Sequence, residues 1–182
     1  MEITTNGTLF NKNILEKFSS FKRVTINISV DGIESSYDYI RYPYNWKNWV
    51  MNLERLLNYV QDEKIYNKIH IRFSCVVLSY NWLCLGKLYS FLKDYCIEYK
   101  WISWFKDKLE PRIHFDFNLV PKTLVLGISS LSDEIIDIGF KRFYNNASES
   151  RQINEFKIKS NEYKNNSYKN LDPILGKYID GL

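Results

Sequence analysis

The chain has 182 residues, 45% apolar and 16% aromatic, with a formal net charge of +4 at pH 7. That is enough apolar mass for one sizeable core, and no run reaches the roughly 20 apolar residues of a membrane-spanning helix. Lys and Arg are spread among acids in most windows and the aromatics recur at core spacing, so neither a membrane nor a nucleic acid is expected as partner.

Residues 2–5 read as a short strand, and Ile14, Leu15 and Phe18 give a brief helical stripe. Val24 to Val30 then alternates apolar and polar with period two, the pattern of a half-buried strand. Asn45 is placed to cap a stronger helix, in which Trp46, Trp49, Val50, Leu53, Leu56, Leu57 and Val60 form one apolar stripe. Ile69 to Leu78 alternates again, and Asn81 opens an amphipathic stretch through Leu85, Leu88, Phe91, Leu92 and Tyr95. Ile97 to Phe105 reads as the next strand. Helical crossovers of this length join parallel strands, so the class is α/β, a parallel sheet or part of a barrel.

The connection from Lys106 to Pro111 is too short for a crossover helix. Ile113–Val120 and Thr123–Ile128, separated by Pro121, are therefore expected to form a small annex. Leu131 to Tyr144 is expected to be helical, with Asp133 and Glu134 favouring its amino end. Beyond Asn145 the composition turns to Asn, Lys, Ser and Tyr, and Asn161 to Asn170 has too few aliphatics to build a core. The expected organisation is an α/β unit over residues 1–107, an annex over 108–150 and a polar, mobile tail over 151–182 that closes with a last turn from Asp172.

Cys75, Cys84 and Cys96 are nine and twelve residues apart, which suits neither a zinc site nor the close triplet that holds an iron–sulfur cluster. Their odd number and the absence of a secretory pattern in Met1-Glu2-Ile3 argue against a disulfide framework. Reduced, buried thiols and a cytoplasmic location are expected.

The strands share a second pattern. Thr25, Asn27, Ser29 and Asp31 alternate with the apolar positions of one strand, His70, Arg72, Ser74 and Val76 with those of another, and His114, Asp116, Asn118 and Val120 with those of a third. Parallel strands covered on both faces are apolar throughout, so one face here meets something polar. Two arrangements satisfy this: a barrel lumen holding a polar ligand, or a sheet with helices on one side and water on the other.

Asn6 beside Gly7 suits a turn, and Asp31 beside Gly32 caps one or faces a site, because α/β folds place their sites at the carboxyl ends of strands. Arg41 has Asp38 three residues away as a surface partner, or serves an anion. His70, Arg72, His114 and Asp116 would make an acid-base or anion-binding group if their strands were neighbours.

The order Thr5-Asn6-Gly7, Ser29-Val30-Asp31-Gly32, Arg41, then Trp46 with Asn52-Leu53-Glu54 resembles radical S-adenosylmethionine (SAM) domains of the twitch type. Val77 to Asn81 and Val120-Pro121 to Leu124 fall where that type has similar residues, so the likeness spans most of residues 2–130. It implies a partial (β/α) barrel with a twitch-like annex. It implies that Ser29 and Asp31 face the ribose or carboxylate of SAM, that Arg41 neutralises the carboxylate, and that Asn6 lies at the rim.

The family's cysteine triplet, which binds a 4Fe-4S cluster, and its Gly-Gly-Glu segment are both missing from this sequence. The expectation is therefore a carboxyl-terminal part of a radical SAM enzyme, truncated, mis-started or split, and silent alone because the cofactor supplies the radical chemistry. Its partner would be the amino-terminal half, or a copy of itself paired through an exposed sheet edge. A non-catalytic α/β module binding a peptide, nucleotide or protein is the alternative.

Overall fold

A computed structural model describes residues 1–98, 102–105, 108–111, 113–119 and 127–146. The expected tail over 151–182, and the Val120 to Leu124 part of the likeness, lie outside the described residues. The fold is mixed α/β. Strand β1 (Glu2–Thr5) leads through helix α1 (Lys12–Ser19) to β2 (Val24–Ser29). Helices α2 (Ser35–Ile40) and α3 (Trp46–Asp62) lead to β3 (Ile69–Val77), and α4 (Leu85–Glu98) follows. A short hairpin of β4 (Ile102–Phe105) and β5 (Lys108–Pro111) precedes β6 (Ile113–Leu119) and α5 (Asp133–Asn146).

The main sheet has the order β1-β2-β3-β6, every pair parallel. It is open: among the described residues no strand pairs with the outer edge of β1 or β6. Successive strands take adjacent places, and crossovers of one hand then carry the helices to one face. The burial pattern agrees. Val24, Ile26 and Ile28 on β2 and Ile69, Ile71, Phe73, Cys75 and Val77 on β3 are buried, while the residues between them are not.

The buried face is covered by the stripes read from the sequence. Asn45 caps α3, its Oδ1 accepting from the Asn48 N–H at 2.9 Å. Trp49, Leu53, Leu56, Leu57 and Val60 of that helix join the sheet residues in one core. Trp46 and Trp49 stack at 5.0 Å, and Trp49 reaches Phe73 of β3 at 6.3 Å between ring centroids. Helix α5 docks on α4 and on the turn Trp82–Cys84 before it. Glycine at 139 allows this, because a Cβ there would lie 2.0 Å from Trp82 Nε1. That indole N–H donates to the Ile136 carbonyl at 3.2 Å, tying the turn to the helix that crosses it.

Two expectations change. Ile97 to Phe105 does not continue the main sheet: α4 runs to Glu98, and Ile102–Phe105 pairs antiparallel with β5. Ile113 to Leu119 does not stand apart in an annex but lies parallel beside β3, from Ile71↔Ile113 to Val77↔Leu119. The crossover to β6 is α4 itself, with the hairpin inserted after it, and a reading by local spacing cannot see an insertion in a connection. No helix among the described residues is long and apolar enough to cross a membrane.

Candidate functional site

The face of the sheet that no helix covers among the described residues carries the polar residues in aligned rows. Glu2, Thr25 and His70 stand level across β1, β2 and β3. Thr4, Asn27, Arg72 and His114 form the next row, and Ser29, Ser74 and Asp116 the third. The strands of His70, Arg72, His114 and Asp116, whose adjacency the spacing left open, are therefore neighbours. Some of these groups already hold one another: Asn27 Nδ2 donates to Glu2 Oε1 at 2.9 Å, and Asn118 Nδ2 to Ser74 Oγ at 2.8 Å.

Of the residues singled out in the sequence, Asp31 and Arg41 are brought together. Asp31 stands two residues past β2 and is 6% exposed, and its Oδ2 pairs with Arg41 Nη2, at the end of α2. Its Oδ1 accepts from the Val76 N–H of β3 at 2.7 Å, so both carboxylate oxygens are engaged. Asp38, the alternative partner of Arg41, instead accepts from the Trp46 N–H at 2.5 Å and holds the start of α3. Ser29 lies on the open face level with Ser74.

Asn6 is separate from this pair. Its Oδ1 accepts from the Thr8 N–H at 3.1 Å and from the Thr8 hydroxyl at 2.7 Å, which closes a turn. Gly7 continues that turn at φ +73, and a Cβ there would meet Trp49 Nε1 at 2.7 Å. The same indole N–H donates to the Asn6 carbonyl at 3.1 Å, so the end of β1 is moulded on α3.

Asn81, which the sequence offers as a helix start and as the end of the Val77 to Asn81 part of the likeness, is a further member of the network. It is fully buried, and its Nδ2 donates to the Asp31 and Val76 carbonyls, both at 2.7 Å. Its Oδ1 accepts from the Leu78 N–H at 2.8 Å. One side chain thus joins the carboxyl ends of β2 and β3. The available signal was a polar residue just past the end of β3, where Asp31 stands past the end of β2.

Tyr37 lies beside this network, and its hydroxyl, like Arg41 Nε, is buried without a hydrogen-bond partner among the described residues. Burial pushes the Tyr37 phenol up to about 12, against a lowering by the Arg41 charge.

No family model matches the chain, and no curated protein matches it.

The fit to a cluster rests on the cysteines. Cys75 is buried on the helix-covered face, and burial, followed by the charge of Asp31, pushes its thiol well above the ordinary range. Burial also raises Cys84. A 4Fe-4S cluster is held by a set of three or four cysteine thiolates, and Cys75 and Cys84 supply two, the first of them buried in the core. Among the described residues no group of three or more His, Cys, Asp or Glu could hold a metal ion. The described cysteines do not fit an iron–sulfur cluster.

Proposed function

We propose that the chain is the carboxyl-terminal part of a radical SAM enzyme, a partial (β/α) barrel whose polar sheet face is one wall of the lumen. The observation that supports this most is the division of the sheet: the helix-side positions of β2 and β3 are apolar, and the opposite rows are mostly polar, with Asn27 donating to Glu2 and Asn118 to Ser74. A ligand-filled lumen gives such rows a partner, as water on an open face also does; a helix layer does not.

In this reading Ser29 faces the ribose or carboxylate of SAM. Arg41 presents the donors that Asp31 leaves free, its side chain being 26% exposed. Asp31 acts by holding Arg41, and Asn6 shapes the rim. The cluster, the reductive cleavage of SAM and the hydrogen abstraction from a substrate belong to a partner that carries the cysteine triplet, either an amino-terminal half or another chain meeting the free sheet edge. The chain alone is silent.

Calorimetric titration of the chain with SAM tests the reading, with Ser29→Leu and Arg41→Ala as controls. Heat of binding that both substitutions diminish is expected. Anaerobic treatment with iron and sulfide is expected to leave no stable cluster on the chain alone. Absence of SAM binding, with a peptide or nucleotide bound instead, turns the assignment to the second reading, a non-catalytic α/β binding module. The mutual engagement of Asp31 and Arg41 favours that alternative, because a charge already neutralised has less to offer a ligand.

A further inference from the structure

We propose that the amino-terminal end of the sheet binds a mononucleotide-like ligand, a phosphate monoester carried on a heteroaromatic group. This rests on the reading of the open face as a ligand wall, but not on the radical SAM likeness. A depression of about 580 Å³ opens at that end, lined by Met1, Phe21, Lys22, Arg23, Asn67 and His70. Small-molecule sites commonly have this size.

Its walls are of two kinds. Lys22 and Arg23 are exposed on the turn between α1 and β2, and neither takes part in an ion pair among the described residues. His70 leads from the depression onto the open face, where Arg72, also exposed and without an ion pair among the described residues, follows two residues on. That spacing places Arg72 roughly 7 Å further along the same face. His114 of β6 stands beside it in register.

Among the described strand residues, the acids of this face are Glu2 and Asp116. Glu2 is held by Asn27, and Asp116 lies level with Ser74, two residues nearer the carboxyl end than Arg72. Lys22 and Arg23 therefore line the depression with no carboxylate among its lining residues, and Arg72 lies beyond them on the open face.

A phosphate monoester suits these groups better than a single carboxylate. It carries up to two charges and accepts several hydrogen bonds at once, which an Arg fork and a Lys ammonium meet together. Phe21 is 40% exposed and supplies the other wall. Free phosphate would leave that ring in water, whereas a nucleobase would stack on it.

Titration calorimetry of the full chain with adenosine 5′-monophosphate, adenosine and inorganic phosphate tests the proposal. The nucleotide should bind most tightly, phosphate more weakly and adenosine not measurably. Lys22→Ala with Arg23→Ala should weaken the nucleotide ~100-fold and Arg72→Ala ~10-fold, one charge-assisted contact being worth about a factor of ten. Phe21→Ala should abolish the preference for the nucleotide over phosphate. Circular dichroism checks the fold of each variant, and Lys22→Gln with Arg23→Gln replaces the alanine pair if that pair is unfolded.

No nucleotide binding up to ~10 mM, a range that corresponds to under about 3 kcal/mol, would overturn the site. Unchanged affinity in the variants, or adenosine bound as tightly as its phosphate, would do the same. Loss of SAM binding with nucleotide binding intact removes the radical SAM reading alone, and the reverse result removes this site alone.

Discussion

The two ends of the parallel sheet treat charge in opposite ways. At the carboxyl ends of β2 and β3, Asp31 is buried and each of its oxygens is engaged, by Arg41 and by the Val76 N–H, with Asn81 bridging the two strands beside it. At the amino ends, Lys22 and Arg23 stand exposed and outside the ion pairs of the described residues. A buried charge survives only with its partners in place, so the first end is built to hold the fold. An exposed cation costs little to keep and retains its binding capacity, so the second end is available to a ligand.

The largest break in that comparison comes from Asp31. Asp31→Ala leaves Arg41 without its partner and the Val76 N–H without an acceptor, and a loss of about 3–5 kcal/mol is expected. The midpoint of urea unfolding measures it. A change below about 1 kcal/mol would mean that the carboxyl end is as dispensable as a surface pair.

Asn81→Ala comes next. The side chain is fully buried and makes hydrogen bonds to Asp31, Val76 and Leu78. Its removal is expected to cost about 2–4 kcal/mol, since those groups lose their partners inside the protein. Hydrogen exchange of the Leu78 amide should accelerate in the variant, a local readout that a general loss of packing would not single out.

How much of this was legible in the sequence follows from which interactions are local. The Asn45 cap, the α3 stripe and the period-two strands are set by neighbours within a few residues, and each appears where the spacing placed it. The place of β6 depends on pairing across the whole of α4 and the hairpin, and no local pattern encodes that. The same holds for the candidate sites. Asp31 and Arg41 were visible as polar residues after a strand, but their pairing was not, because Asp38 lies nearer in sequence. Asn81 touches Asp31 from 50 positions away.

A smaller effect, of opposite sign, is expected at Tyr37. Its ring meets Trp46 at 5.5 Å and Trp49 at 5.9 Å, while its hydroxyl is buried without a partner among the described residues. Tyr37→Phe keeps the ring and removes the unsatisfied group, so stability at neutral pH should rise by about 1 kcal/mol. The pH dependence has a definite sign. With the folded phenol raised to about 12 from an ordinary value of 10.0, the unfolded chain releases its proton first, and stability falls as pH rises between those values. Below about pH 10 the contribution is fully present. The variant should lose this part of the alkaline slope, which unfolding midpoints measured from pH 9 upward would reveal.

The smallest effect belongs to the amino end and sharpens the comparison most. Arg72 is exposed on the open face and has no ion pair among the described residues, so Arg72→Ala should change stability by no more than about 0.5 kcal/mol. Arg72 and Arg41 are both arginines at the same sheet, one on the open face and one turned into the core network. If Arg72→Ala proved as costly as Arg41→Ala, the open face would already be held by contacts that the described residues lack, and its cations would be structural. A near-zero cost for Arg72, beside a large one for Arg41, would leave the Arg72 guanidinium without a structural task among the described residues, as the proposed phosphate contact requires.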